Sequence, residues 1–84
     1  MSPTLDFYYY EECPYCRKVM RVIDELKIQV NYCNTRKEAN HLNKLMKDTG
    51  LSQVPCLYID GKPMFETSDI MNWLRENQAQ LKKD

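Results

Sequence analysis

Between Leu5 and Tyr10, apolar Leu5, Phe7 and Tyr9 alternate with Asp6, Tyr8 and Tyr10 in a segment of high β-propensity, so a strand is expected to open the fold. After Glu11 and Glu12 the period lengthens. Cys16, Val19, Met20, Ile23 and Leu26 recur at the spacing of a helix ending near Lys27, and Pro14 suits its first turn, where a missing N–H is no loss. Ile28, Val30 and Tyr32 then alternate with Gln29, Asn31 and Cys33, which predicts a second strand joined to the first by a right-handed parallel crossover. Thr35-Arg36-Lys37-Glu38 has capping-box spacing and is expected to start a second helix, with Ala39, Leu42, Leu45, Met46 and Thr49 as its buried stripe and Gly50 as its left-handed cap. Cys56 to Ile59 and Lys62 to Phe65 flank Asp60-Gly61, a hairpin signal, and Pro63 assigns the last strand to a sheet edge. Thr67 or Ser68 is expected to cap a third helix carrying Ile70, Trp73, Leu74, Asn77 and Leu81 on one face, and the tail Gln78 to Asp84 to fray.

The expected order is βαβαββα, an α/β arrangement in which a four-stranded mixed sheet is flanked by three helices within one domain spanning residues 1–84. Hydrophobic residues make up 43% of the 84, enough for a packed core and too many for a disordered chain. Twelve basic and twelve acidic side chains cancel, and no Lys/Arg run exceeds two, so nucleic acid is not an expected partner. No apolar run approaches the ~20 residues of a membrane span, and the opening Met1 to Asp6 lacks an export signal, which points to a cytoplasmic protein. With Gly50 and Gly61 as the only glycines, no phosphate-cradling or dinucleotide-binding loop can be written.

Four cysteines then carry the chemistry. Cys13 and Cys16 form a Cys-x-x-Cys pair, while Cys33 and Cys56 have 22 residues between them and cannot supply the second close pair of a zinc ribbon. A metal site is therefore not expected, and His41 is read as a solvated helix residue. Residues three apart at a helix start share a face with Cβ atoms ~5–6 Å apart, so this pair can open and close as a disulfide. The helix N-terminus favours negative charge, which makes Cys13, expected nearer solvent, the attacking thiol and Cys16, one turn further in, the resolving one.

Cys13-Pro14-Tyr15-Cys16 after a strand, with Val54-Pro55 before a later strand and Asp60-Gly61 in the following hairpin, resembles a dithiol glutaredoxin, a family of the thioredoxin-like superfamily. The resemblance runs from about Leu5 to Leu74. It implies a thiol–disulfide oxidoreductase that reduces protein disulfides and glutathione mixed disulfides, with glutathione as co-substrate, no tightly bound cofactor, disulfide-bonded or glutathionylated proteins as partners, and a monomeric state. It also implies a cis Pro55 facing the cysteines and a Val54 backbone that pairs with the cysteinyl part of glutathione. Tyr15, between the cysteines, is read as a lid or partner surface.

Two departures change that picture. Where most glutaredoxins place a Gly-Gly pair, this chain has Phe65-Glu66-Thr67-Ser68-Asp69-Ile70, which is similar to the glutathione-binding segment of glutathione transferase N-terminal domains. That similarity implies that Glu66, Thr67, Ser68 and Asp69 hold the γ-glutamyl end of glutathione, although Thr67 and Ser68 are also natural helix caps. Many glutaredoxins carry a Lys where this chain has Tyr10, and Glu11 and Glu12 follow it, two carboxylates that disfavour a thiolate at Cys13. Arg36 and Lys37 become candidates for the glycine carboxylate of glutathione, against their reading as a solvated helix face. Cys56 is expected to pack in a central strand and Cys33 to be more exposed. The alternatives left open are a glutathione-binding or iron–sulfur-bridging module, which Pro14 disfavours by stiffening the loop, a transferase fragment, and a redoxin recycled by thioredoxin reductase.

Overall fold

The computed structural model describes residues 2–83; Met1 and Asp84, the outer ends of the opening segment and of the tail expected to fray, lie outside the described residues. The elements are β1 (Leu5–Tyr9), α1 (Pro14–Leu26), β2 (Asn31–Asn34), α2 (Ala39–Thr49), β3 (Cys56–Ile59), β4 (Lys62–Met64), α3 (Thr67–Asn77) and a 3-10 turn at Gln78–Gln80. The four strands form one mixed sheet in the order β2-β1-β3-β4, with β1 and β2 parallel and the other pairs antiparallel. The expected architecture is the observed one. No helix among the described residues is long and apolar enough to cross a membrane.

β1 is central and buried on both faces. Leu5 and Phe7 point into the larger core with Leu57 of β3, Cys16, Val19, Val22 and Ile23 of α1, and Ile70 and Leu74 of α3. Tyr8 points the other way, into a smaller cluster with Cys33, Cys56, Tyr58 and Leu45 of α2. The helices thus divide two to one across the sheet. Asp60 (φ 50) and Gly61 (φ 84) both take the left-handed conformation that a two-residue primed hairpin turn requires, and Pro63 falls on the edge strand, where its missing donor breaks no ladder.

α1 closes on Lys27 (φ 55), whose N–H reaches Asp24 O at 3.1 Å while Ile28 N–H reaches Ile23 O at 3.0 Å. This Schellman-type turn uses a lysine where glycine is usual. Gly50 (φ 75) closes α2 as expected, with its N–H on Met46 O at 2.8 Å.

Several expectations are corrected. β2 starts at Asn31, not Ile28; Ile28 is buried but makes an isolated antiparallel bridge with Lys83. Asn31 and Tyr32 are then the exposed residues of this edge strand, Tyr32 leaning on the rings of Phe7 and Tyr9, while Cys33 is only 7% exposed because it points under α2. The Thr35–Glu38 capping box does not form. Thr35 is drawn to the end of β1, its N–H on Tyr9 O at 2.9 Å, and the Asn34 carboxamide oxygen instead accepts the N–H groups of Arg36 (2.9 Å) and Lys37 (3.0 Å).

The α2 stripe shrinks to one fully buried residue, Leu45, which packs in the smaller cluster with Tyr8, Cys33, Cys56 and Tyr58; Ala39 is exposed and Met46 is 48% exposed. The tail does not fray over its described part. Leu81 is buried, and Gln29 N–H donates to Lys82 O at 2.9 Å.

Candidate functional site

Cys13 is the N-cap of α1, in extended backbone, with Pro14 as the first helical residue. Its sulfur accepts the Cys16 N–H at 3.3 Å, so the side chain caps the amide that the helix start leaves without an intrahelical partner. A backbone donor and the open helix terminus therefore both face that sulfur. Both cysteines are free thiols. The expectation that Cys13 lies near solvent is corrected in degree: it is 5% exposed, against 0% for Cys16, because Cys13 also joins the larger core. The order of accessibility is the expected one. Burial, reinforced by the hydrogen bond with Cys13, pushes the Cys16 thiol well above its ordinary value.

The Val54-Pro55 peptide bond is cis, as the glutaredoxin resemblance implies. Pro55 is buried and Val54 packs against the cluster that contains both cysteines. Glu66, at the N-cap of α3, has φ 71, a left-handed conformation that a non-glycine residue adopts at a cost and that recurs at functional sites. No side chain caps α3, so the reading of Thr67 or Ser68 as a cap is corrected: both are inside its first turn and leave its leading amides open.

Tyr15, the cis-proline segment and the head of α3 meet in one open groove of about 570 Å³, lined by Tyr15, Lys18, Gln53, Val54, Pro55, Glu66, Thr67, Ser68 and Met71; Cys13 and Cys16 are not among its lining residues. The dithiol loop supplies Tyr15 to one wall, and Tyr15 is 58% exposed. Of the residues singled out in the sequence, Tyr15, Val54, Pro55, Glu66, Thr67 and Ser68 are brought together here. Asp69 is exposed in the first turn of α3 and does not line the groove. Sequence reasoning missed Lys18, Gln53 and Met71. The available signals were Lys18 one helical turn after Tyr15 and Met71 one turn after Thr67 and Ser68, which place each on a face already assigned to the site.

The charges beside the dithiol are paired across two loops. Arg36 meets Glu12 at 3.1 Å and Lys37 meets Glu11 at 3.9 Å, while the Arg36 guanidinium lies 3.7 Å from the centre of the Tyr10 ring. Arg17 also donates from Nε to Glu11 O at 2.8 Å. Arg36 thus occupies the space above Tyr10, and the two acids are compensated rather than left facing the cysteines.

The remaining cysteines are elsewhere. Cys33 and Cys56 flank Tyr8 on its two neighbouring strands, roughly 10 Å apart by strand spacing and beyond disulfide reach. Burial raises both thiols, that of Cys56 to about 12. This supports the packing reading of Cys56 and extends it to Cys33.

A buried dithiol at the head of a helix, a cis-proline before β3 and an open groove against α3, on a β2-β1-β3-β4 mixed sheet, define the thioredoxin-like class in its glutaredoxin and transferase-domain form. The family model "Glutathione S-transferase, N-terminal domain" matches residues 7–82, and the chain belongs to that family.

Among solved structures, the buckwheat glutaredoxin–glutathione complex superimposes with a TM-score of 0.71 at 23% identity, over 90% of this chain and 72% of that one. Wheat glutaredoxin gives 0.71 at 18% identity, over 95% and 83%. A glutathione transferase homologue from Drosophila mojavensis with bound glutathione gives 0.78 at 16% identity, over 93% of this chain but only 36% of that one. These likenesses establish the fold. A comparison with curated proteins finds no match to the sequence.

Proposed function

We propose that this chain is a glutathione-dependent thiol–disulfide oxidoreductase of the glutaredoxin type. The observation that carries the reading is the Cys13 sulfur at the N-cap of α1, held by the Cys16 N–H. The Cys13 thiolate attacks the glutathionyl sulfur of a mixed disulfide; a new S–S bond forms to Cys13, the old one breaks, and the substrate leaves as a thiolate that takes a proton from solvent. A second glutathione thiolate then attacks that glutathionyl sulfur, giving oxidised glutathione and regenerating Cys13. Cys16 can instead attack Cys13 and expel glutathione, forming an internal disulfide that two glutathiones later reduce. The Val54 backbone and the start of α3 orient glutathione, and the buried cysteine cluster keeps water from the exchange.

The test is the reduction of a glutathionylated peptide by glutathione, coupled to glutathione reductase. Cys13→Ser is expected to abolish turnover and Cys16→Ser to retain a substantial part of it. Full activity in Cys13→Ser would overturn the reading.

A second reading is supported by the family match: a glutathione-binding domain of transferase type, in which glutathione itself reacts with an electrophile. It predicts glutathione-dependent conjugation that survives loss of both Cys13 and Cys16, measured with an aryl halide substrate.

A further inference from the structure

The exposed face of α1 carries its charges in an unusual order. Arg17, Lys18 and Arg21, all exposed, come first, and Asp24 and Glu25 follow in the last turn; no acid stands in the first turn and no base in the last. A helix presents partial positive charge at its start and partial negative charge at its end, so this order opposes the macrodipole. α3 has the ordinary arrangement, with Asp69 in its first turn and Arg75 in its last. Arg17 and Arg21 are also like charges four residues apart, a spacing that disfavours the helix. Local rules broken together on one exposed face point to a role outside the fold.

Inside the fold these cations find no carboxylate. None of the three makes any of the ion pairs found among the described residues. Arg17 donates from Nε to Glu11 O at 2.8 Å, and the Lys18 ammonium lies 5.6 Å from the centre of the Tyr15 ring. Glu11 and Glu12, the acids that precede the dithiol, are already matched by Lys37 and Arg36. Lys18 and Arg21 follow Tyr15 at successive intervals of three, and Arg17 lies four before Arg21, so the four side chains are neighbours on the helix surface. That strip starts at the dithiol loop. With glutathione oriented by Val54 and the head of α3, the polypeptide half of a mixed disulfide is left to the α1 side of the groove, where Tyr15 and Lys18 stand.

We propose that Tyr15, Arg17, Lys18 and Arg21 form a docking strip for acidic polypeptide, and that the preferred substrate is a protein whose glutathionylated or disulfide-bonded cysteine is flanked by Asp or Glu. The inference rests on the oxidoreductase reading and names its substrate class. Exposed charges of this kind act on capture of the polypeptide and are screened by salt, while the exchange chemistry stays with the cysteines.

The test uses glutathionylated peptides of one length, with the modified cysteine flanked by two Asp, two Asn or two Lys, turned over at saturating glutathione. The wild-type kcat/KM is expected to fall in the order Asp, Asn, Lys by about threefold per step at low ionic strength, the scale of one or two exposed ion pairs. The order is expected to collapse in 0.5 M salt, where the Debye length is about 4 Å. Arg21→Gln is expected to narrow the preference for the Asp peptide over the Asn peptide, and Arg21→Glu to erase it. Equal kcat/KM on the three peptides, a preference that survives 0.5 M salt, or a change in Arg21→Glu shared equally by all three overturns the docking strip and leaves the oxidoreductase reading intact. A wild-type chain that turns over none of the peptides overturns both.

Discussion

At the scale of single residues, the two cysteines of the motif are separated by burial. Cys16 is fully buried and its thiol is pushed up first by desolvation and then by its hydrogen bond with Cys13. A thiol titrating above the working pH gains about tenfold in thiolate for each unit of rise. Closure of the Cys13–Cys16 disulfide on a glutathionylated Cys13 is therefore expected to accelerate steadily from pH 7 to pH 9, followed by rapid quench and alkylation. A rate that is flat across that range would show that Cys16 is already ionised. The compensated acids make a second prediction. Arg36 holds Glu12 at 3.1 Å, so Arg36→Ala releases an unpaired carboxylate beside the dithiol. Alkylation of Cys13 is expected to slow at low ionic strength and to recover both in 0.5 M salt, where the Debye length is only about 4 Å, and in the Arg36→Ala/Glu12→Gln double variant. Cys13 and Cys16 were legible in the sequence because spacing alone fixes a dithiol at a helix start. Their shared burial was not, since it depends on α3 and β3 closing over that start.

At the scale of elements, α2 is the weakly anchored one. Leu45 is its single fully buried residue, supported by the Tyr58 hydroxyl donating to Asp48 at 2.9 Å and by the Lys44–Asp48 pair at 2.9 Å. Leu45→Ala is expected to cost roughly 2–5 kcal/mol by urea denaturation, with amide exchange in α2 rising more than in α1. The Asp48 carboxyl is held below the usual carboxylate range by Lys44 and then by Tyr58. A depressed carboxyl stabilises the fold above its unfolded value of about 3.9 and loses that contribution as pH falls through its folded value. Wild type is thus expected to exceed Asp48→Asn at pH 7, and the two thermal melting curves to converge below about pH 4. The sequence located α2 and its glycine cap correctly. It overestimated the buried stripe because a helical period marks a possible face, while its burial depends on what packs against it. The capping box failed for a related reason, since Thr35 is claimed by the end of β1 and Asn34 takes over the turn.

At the scale of the whole molecule, the segment after α3 completes the larger core. Leu81 is 5% exposed, and residues 82 and 83 pair with Gln29 and Ile28 ahead of β2. Leu81→Ala is expected to destabilise by roughly 2–3 kcal/mol while leaving glutathione kinetics at low temperature unchanged, because the contact is remote from the groove. The chain order of strands and helices and the parallel pairing of the first two strands were legible from period and connection length, while the place of β3 beside β1 and the two-to-one division of helices came from the structure. The closing of the tail was not legible either, since its partner is an isolated bridge with no periodic signature. That bridge has a practical consequence. Ser2, Pro3, Thr4 and Lys82 line one shallow recess at the start of β1, whereas the dithiol follows the end of β1. Both described ends therefore emerge together at the pole opposite the reactive sulfurs. An affinity tag, a fluorescent fusion or a surface tether at either end leaves the groove unobstructed, and a short linker joining the two ends makes the chain a candidate for circular permutation with new termini at the Asp60-Gly61 turn.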